Sequence, residues 1–198
     1  MVSEYEKDIE ALVRKHSEQP TGNIIFYGSS SIRLWPSLKR EFPEVTIENW
    51  GFGGATLWEC DLFFERAIVP RQPRGIVFYG GDNDLAKGRT PTQVWEALRD
   101  MLDKRDAHLP GVPFAFGALK NAPSRAELVE QVEQTNEWCQ RELASRENCE
   151  WLDWYDAMLD EKGEPRGELY LSDQLHLSRK GYDLWNSVLK RDLHWLTS

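Results

Sequence analysis

The chain has 198 residues, 40% of them hydrophobic and 29% charged, which is enough to form one compact domain around a hydrophobic core. It contains no apolar run near the ~20 residues that a membrane-spanning helix needs, and its formal charge of −9 argues against nucleic acid as a partner. Three cysteines without a C-x-x-C pair indicate neither a disulfide framework nor a zinc site.

Apolar runs rich in branched and aromatic residues alternate with segments of helical period, and this alternation is typical of a parallel α/β sheet. Five strands are predicted, at residues 23–27, 45–49, 75–79, 112–118 and 149–153. Helices are predicted at about 3–17, 56–69, 91–107, 123–146 and 179–196. Long loops remain at about 80–90 and 158–177, and loops of this length in a compact domain often carry function.

Glycine and polar residues follow the first three predicted strands. The segments are GSSS at 28–31, GFGG at 51–54 and GGDND at 80–84. Ligands of open α/β sheets bind at the carboxyl ends of the strands, so we expect these three segments to share one rim.

An acid and a histidine stand three residues apart within the segment LSDQLHLSRKGY, residues 171–182. Residues i and i+3 lie on the same side of a turn, so the Asp173 carboxylate can reach the Nδ1–H of His176. Nε2 is then left to take a proton, as a general base requires. Taken alone, such a pair more often belongs to a polar loop before a helix.

Acyl transfer from an ester needs a nucleophile, a base and hydrogen-bond donors for the developing oxyanion. A serine of GSSS can supply the nucleophile and its own N–H, Gly54 a backbone N–H, and Asn83 a side-chain N–H. Each has a plainer alternative. The serines can be turn and cap residues, the glycine pair an ordinary turn, and Asn83 a cap of its loop.

The other polar candidates are expected to be structural. Asp82 and Asp84 flank Asn83, but Ala86 stands where a calcium loop would place its next oxygen ligand, so we expect no metal site. Most of the nine tryptophans are expected in the core and not on a sugar-stacking platform. The remaining histidines are expected on the surface: His16, His108 and His194.

Four separated blocks resemble the SGNH subset of the GDSL hydrolases, serine esterases and lipases named for a Ser, a Gly, an Asn and a His. The blocks read FYGSSSIRLW, NWGFGGATLW, VFYGGDNDL and DQLHLSRKGYDLW, and they occur in the family order. The chain is most similar to small members that resemble platelet-activating-factor acetylhydrolase catalytic subunits and bacterial acyl-esterases. The resemblance implies a three-layer α/β/α, flavodoxin-like fold with a five-stranded parallel sheet, in one SGNH hydrolase-like domain over residues 1–198.

By position, the resemblance implies a catalytic triad of Ser30, Asp173 and His176. It also implies an oxyanion hole formed by Ser30, Gly54 and Asn83. The reaction implied is metal-free hydrolysis of an ester through an acyl-enzyme.

Three residues depart from the family pattern. Ser29 replaces the Asp before the nucleophile, Ala55 replaces an Asp after the glycine pair, and Asp82 replaces a Thr. The first change leaves the nucleophile open between two serines. Counting from the preceding glycine favours Ser30, whereas an extra residue in the turn would make it Ser31.

We therefore expect a serine esterase or lipase-like acyl-esterase that acts on a small-molecule ester and needs no cofactor. Alternatives on the same site are a carbohydrate O-deacetylase and a lysophospholipase or thioesterase. A different class is a non-catalytic carbohydrate- or lipid-binding module. The acidic N-terminus lacks the order of a secretory signal, so a cytoplasmic location is expected, and a homodimer is left open.

Overall fold

The computed structural model describes residues 4–197 of the chain, and the side chains of residues 4–196. Five strands form one parallel sheet in the order β2-β1-β3-β4-β5, with helices on both faces. The strands are β1 (Ile24–Gly28), β2 (Ile47–Gly51), β3 (Gly75–Tyr79), β4 (Phe114–Gly117) and β5 (Cys149–Leu152). The predicted three-layer α/β/α fold is thus confirmed.

Helices of very different length connect the strands. The α-helices are α1 (Glu6–Ser17), α2 (Ser30–Arg33), α3 (Leu38–Glu41), α4 (Leu57–Ala67), α5 (Asp82–Ala86), α6 (Pro91–His108), α7 (Val129–Ala144), α8 (Trp154–Ala157), α9 (Arg179–Asp192) and α10 (His194–Thr197). Short 3-10 helices span Val69–Arg71, Pro123–Leu128 and Gly167–Leu169. Within residues 4–197, no helix has the length and apolar character needed to cross a membrane.

Several predicted element bounds were wrong. The helix predicted at 123–146 starts as a 3-10 helix in which Arg125 is non-helical (φ −131°, ψ 32°), and α7 begins only at residue 129. The helix predicted at 179–196 is interrupted by Leu193. The strand predicted at 45–49 lies two residues later, because residues 47–51 pair with β1. The loop predicted at 80–90 contains α5, whose five residues are too few to show a helical period.

His16 is buried, contrary to the surface position expected for it. Its ring stacks on Trp50 with a centroid distance of 4.7 Å, and its Nε2 lies 3.2 Å from the Asn49 carbonyl oxygen. Its side chain is 1% exposed and lies close to the buried carboxylate of Glu48. Spacing along α1 could not indicate this burial, because the covering partners come from β2. His108 and His194 are exposed, as expected.

Aromatic side chains fill the core beneath the sheet. Trp154 and Trp185 stack at 3.8 Å with their planes 5° apart, and Trp35 meets both rings edge-on. These three and Trp50 are buried, whereas Trp58 is 44% exposed. Four others are partly buried, at positions 95, 138, 151 and 195. The core prediction therefore holds fully for four tryptophans of the nine.

The register of the sheet brings the ends of three strands together. Gly28 at the end of β1 pairs with Gly51 on one side and Tyr79 on the other. Gly28 has φ +135°, and a Cβ built on it would lie 1.9 Å from the Tyr79 carbonyl oxygen. Only glycine permits this close approach. The segments that follow β1, β2 and β3 consequently leave the sheet side by side.

Candidate active site

The serine turn presents one of its three serines to solvent. Ser29 is extended (φ −84°, ψ −163°) and its N–H donates to the Tyr79 carbonyl oxygen at 2.9 Å. Ser29 and Ser31 are buried, with 1% and 2% of their surface exposed, whereas Ser30 is partly exposed at the first position of α2. A backbone N–H in the first turn of a helix has no partner within the helix, so the N–H of Ser30 is available to a ligand.

The glycine turn after β2 is held by contacts from two directions. Gly54 has φ +75°, a left-handed conformation that favours glycine. Its carbonyl oxygen accepts a hydrogen bond from the Tyr5 hydroxyl at 2.8 Å. The N–H of Phe52 donates to the Gly28 carbonyl oxygen at 3.0 Å, which ties this turn to the serine turn.

Asn83 lies on α5 and bridges two other segments. Its Nδ2 donates to the Ala55 carbonyl oxygen at 3.0 Å, and its Oδ1 accepts from Nη2 of Arg125 at 2.9 Å. An amide nitrogen carries two hydrogens, so one N–H of Asn83 remains for a ligand after the bond to Ala55. The side chain is partly exposed beside the glycine turn.

Asp84 fixes α5 against the start of α4. Its Oδ2 accepts from the Leu57 N–H at 2.7 Å and its Oδ1 lies 3.4 Å from the Trp58 nitrogen. The carboxyl is buried, and burial raises its pKa to about 6, although the two N–H groups act in the opposite direction. Asp84 therefore holds the glycine turn and Asn83 in a fixed relation.

Asp173 and His176 form the predicted pair. Asp173 Oδ2 lies 2.7 Å from His176 Nδ1, and Oδ1 accepts from the backbone N–H groups of Leu175 and His176, both at 2.9 Å. These hydrogen bonds, first of all the one from the His176 ring, lower the pKa of Asp173 to about 2. With Nδ1 bound to the carboxylate, Nε2 is the nitrogen left for proton transfer.

Hydrogen bonds join the segment around Asp173 and His176 to neighbouring parts of the fold. The Tyr182 hydroxyl donates to the Ser31 carbonyl oxygen at 2.9 Å, which links α9 to the serine turn. The Ser124 N–H donates to the Gln174 carbonyl oxygen at 3.1 Å. Among the described side chains, Ser30 Oγ and His176 Nε2 form no hydrogen bond with each other. Such bonds often form only when substrate is present.

Sequence reasoning missed the residues that support the predicted ones. Tyr5 lies 49 residues from Gly54, and Arg125 lies 42 residues from Asn83. The one sequence signal for either was that Arg125 follows a predicted strand. Among residues 4–196, no three His, Cys, Asp or Glu side chains converge as a metal site would require.

Comparison with known proteins gives one family and a consistent set of folds. The model of the GDSL-like lipase/acylhydrolase family matches residues 25–184. A search among curated proteins gives no significant match.

Solved structures similar to this chain share its fold along most of its length. A Streptococcus pneumoniae protein, provisionally described as platelet activating factor, is 21% identical with a TM-score of 0.82, covering 96% of this chain and 92% of its own. A Bacteroides fragilis protein, provisionally described as an acylhydrolase, is 16% identical with a TM-score of 0.83, covering 96% and 97%. A lipase/acylhydrolase from Enterococcus faecalis is 21% identical with a TM-score of 0.72, covering 86% and 94%.

The family match spans the first three sequence blocks and all but the last residue of the fourth. The chain therefore belongs to the GDSL-like lipase/acylhydrolase family and is a hydrolase that acts on ester bonds.

Proposed function

We propose that this chain hydrolyses carboxylic esters through an acyl-enzyme formed on Ser30. His176 Nε2 takes the Ser30 proton as Oγ attacks the ester carbonyl, and the protonated ring then gives that proton to the departing alcohol. Water repeats the sequence with the acyl-enzyme and releases the acid. Asp173 orients the ring and stabilises the imidazolium. The observation that carries the proposal is the 2.7 Å contact between Asp173 Oδ2 and His176 Nδ1.

The oxyanion of the tetrahedral intermediate is bound, in this proposal, by the N–H groups of Ser30 and Gly54 and by Nδ2 of Asn83. Support comes from the sheet register, which sets the serine and glycine turns side by side. The bond from Asn83 to Ala55 supports it further, since Ala55 is the residue after Gly54. Removing one such donor typically costs on the order of 10²–10³ in turnover.

Substitution of each serine tests the nucleophile. Ser30→Ala is expected to abolish turnover of 4-nitrophenyl acetate with an unchanged circular dichroism spectrum. Ser31→Ala is the matched control, because Ser31 is buried and only its backbone carbonyl bonds to Tyr182. Undiminished turnover in the Ser30 variant, with loss in the Ser31 variant, would overturn the assignment.

A cleft beside the site favours an ester with an apolar part. It has a volume of about 380 Å³ and is lined by Leu34, Leu171, Leu177 and Tyr182 among others. Leu34 lies one helical turn after Ser30 and is 39% exposed, and Leu171 is 48% exposed. The Leu171 N–H donates to the His176 carbonyl oxygen at 2.7 Å, so the cleft adjoins the loop that carries Asp173 and His176.

A chain-length series of 4-nitrophenyl esters tests this substrate class, with acetylated xylose and a lysophospholipid run in parallel. Each methylene that is buried contributes about 0.8 kcal/mol, or up to about fourfold in kcat/KM. We expect kcat/KM to rise toward eight carbons. Activity confined to two-carbon acyl groups and acetylated sugar would instead identify a carbohydrate O-deacetylase.

A further inference from the structure

Arg125 connects the candidate oxyanion donor to a buried group of charges. Its Nη2 donates to Asn83 Oδ1 at 2.9 Å, and its Nη1 donates to the Asp82 carbonyl oxygen at 3.1 Å. The guanidinium thus donates two hydrogen bonds to the first turn of α5, and the Arg125 side chain is only 19% exposed. A planar guanidinium that makes two such bonds fixes direction as well as distance.

The contact with Arg125 determines which way the Asn83 amide faces. If the amide turned over, its NH₂ group would meet the guanidinium, which has donors only. Its oxygen would then face the Ala55 carbonyl oxygen, and both hydrogen bonds would be lost. Arg125 and Ala55 therefore select one of the two amide orientations, the one in which the second Nδ2 hydrogen is left beside the glycine turn.

Two cations share one buried carboxylate behind Asn83. Asp82 Oδ2 lies 2.8 Å from Lys120 Nζ and 3.6 Å from Arg125 Nη1, and the Lys120 side chain is 2% exposed. Burial would raise the pKa of Asp82, but the charges of Lys120 and Arg125 outweigh it and hold that pKa below its ordinary value. Lys120 and Arg125 thus offset the negative charge of Asp82 on the side of Asn83 that carries Arg125.

We propose that Arg125 is a positioning residue for the reaction, which acts through Asn83 by fixing the orientation of its amide toward the oxyanion. Asp82, which also pairs with Lys120, holds Arg125 in place. This inference rests on the proposed function, because it gives Arg125 a role only if Asn83 binds the oxyanion.

A double-mutant cycle with 4-nitrophenyl acetate tests the inference. Arg125→Ala is expected to lower kcat about tenfold with little change in KM, because misorientation of a donor weakens the transition state more than the ground state. In the Asn83→Ala background, Arg125→Ala is expected to lower kcat by less than about a further twofold, since the amide through which Arg125 acts is already absent. Losses that multiply fully would overturn the inference.

Two further variants keep the test decisive. Arg141→Ala removes an arginine whose side chain is 72% exposed on α7 and is expected to leave kcat unchanged. Arg125→Lys keeps the charge but cannot donate to Asn83 and Asp82 with the geometry of a guanidinium. It replaces Arg125→Ala in the same cycle if that variant fails to fold. We expect its loss of kcat also to vanish in the Asn83→Ala background. Turnover that survives Ser30→Ala would refute the proposed function, whereas multiplying losses in a Ser30-dependent enzyme refute this inference alone.

Discussion

The two halves of the candidate active site are built in different ways. The donor half, Gly54 and Asn83, is held by contacts that join residues 28 to 49 positions apart in the chain. The base half, Asp173 and His176, is held by contacts that span two to five positions. The base half can therefore form wherever its loop folds, whereas the donor half exists only when the sheet is assembled.

The same division separates the carboxylates by environment. The Asp173 side chain is 48% exposed, and hydrogen bonds from His176 and Leu175 lower its pKa to about 2. Asp84 is fully buried behind the donor half, and burial raises its pKa to about 6. The negative charge of Asp173 is thus stabilised by neighbouring hydrogen bonds, whereas ionisation of the buried Asp84 carboxyl lowers the stability of the fold.

Loss of the base should abolish activity and leave the fold intact. We expect His176→Ala to lower kcat by about 10⁴-fold or more, because it removes the general base proposed for Ser30. The free energy of unfolding should change by less than about 0.5 kcal/mol, since the ring is partly exposed and bonded only within its loop. Turnover and urea unfolding check both claims. His108→Ala, which removes an exposed histidine paired with Glu65, is the control. Turnover near the wild-type rate would contradict the assignment of His176.

Loss of the donor should affect both activity and stability. Asn83→Ala is expected to lower kcat by about 10²–10³-fold and the free energy of unfolding by about 1–2 kcal/mol, because Arg125 and Ala55 each lose a hydrogen-bond partner. Asn23→Ala is the matched control. Asn23 also makes two hydrogen bonds, to the Pro20 carbonyl oxygen and Glu48, but lies outside the site. A loss of stability without loss of kcat would show that Asn83 is purely structural.

The pH dependence of stability should distinguish the two halves. The folded pKa of Asp84 is about 6, above its ordinary 3.8, so the native state binds the proton more tightly than the unfolded chain. The contribution of Asp84 to the free energy of unfolding is fully present below about pH 4. It is lost as pH rises through 6, and the loss is on the order of 3 kcal/mol. Urea unfolding between pH 4 and 8 should show Asp84→Asn without this decline.

Asp173→Asn provides the opposite case for the same measurement. The pKa of Asp173 is lowered to about 2, so its contribution to the free energy of unfolding is present above pH 4 and is lost only as pH falls toward 2. The slope between pH 4 and 6 should therefore be unchanged in this variant. A slope that persists in Asp84→Asn would show that the decline in stability does not come from the Asp84 carboxyl.

The sequence could predict the base half because its information is local. An acid three residues before a histidine reaches the ring by its own turn, and the structure places Asp173 Oδ2 and His176 Nδ1 at 2.7 Å. The strands were predictable for a similar reason, since β1 and β3 are uninterrupted apolar runs buried on both faces.

The support of the donor half could not be predicted from the sequence. Arg125 lies in a segment that reads as the start of a long helix, but its backbone is non-helical and its side chain bonds to Asn83. The burial of His16 was missed for the same reason, because Trp50 and Asn49 of β2 cover it across the fold. Contacts of this kind depend on topology and not on spacing along the chain.

The central claim is that Ser30 is the nucleophile served by His176. Labelling with a fluorophosphonate, followed by digestion and fragment-ion mass spectrometry of the peptide that contains residues 29–31, tests it most directly. We expect one phosphonyl adduct on Ser30 in the wild-type chain. An adduct on Ser31, or no adduct on folded and active protein, would contradict it.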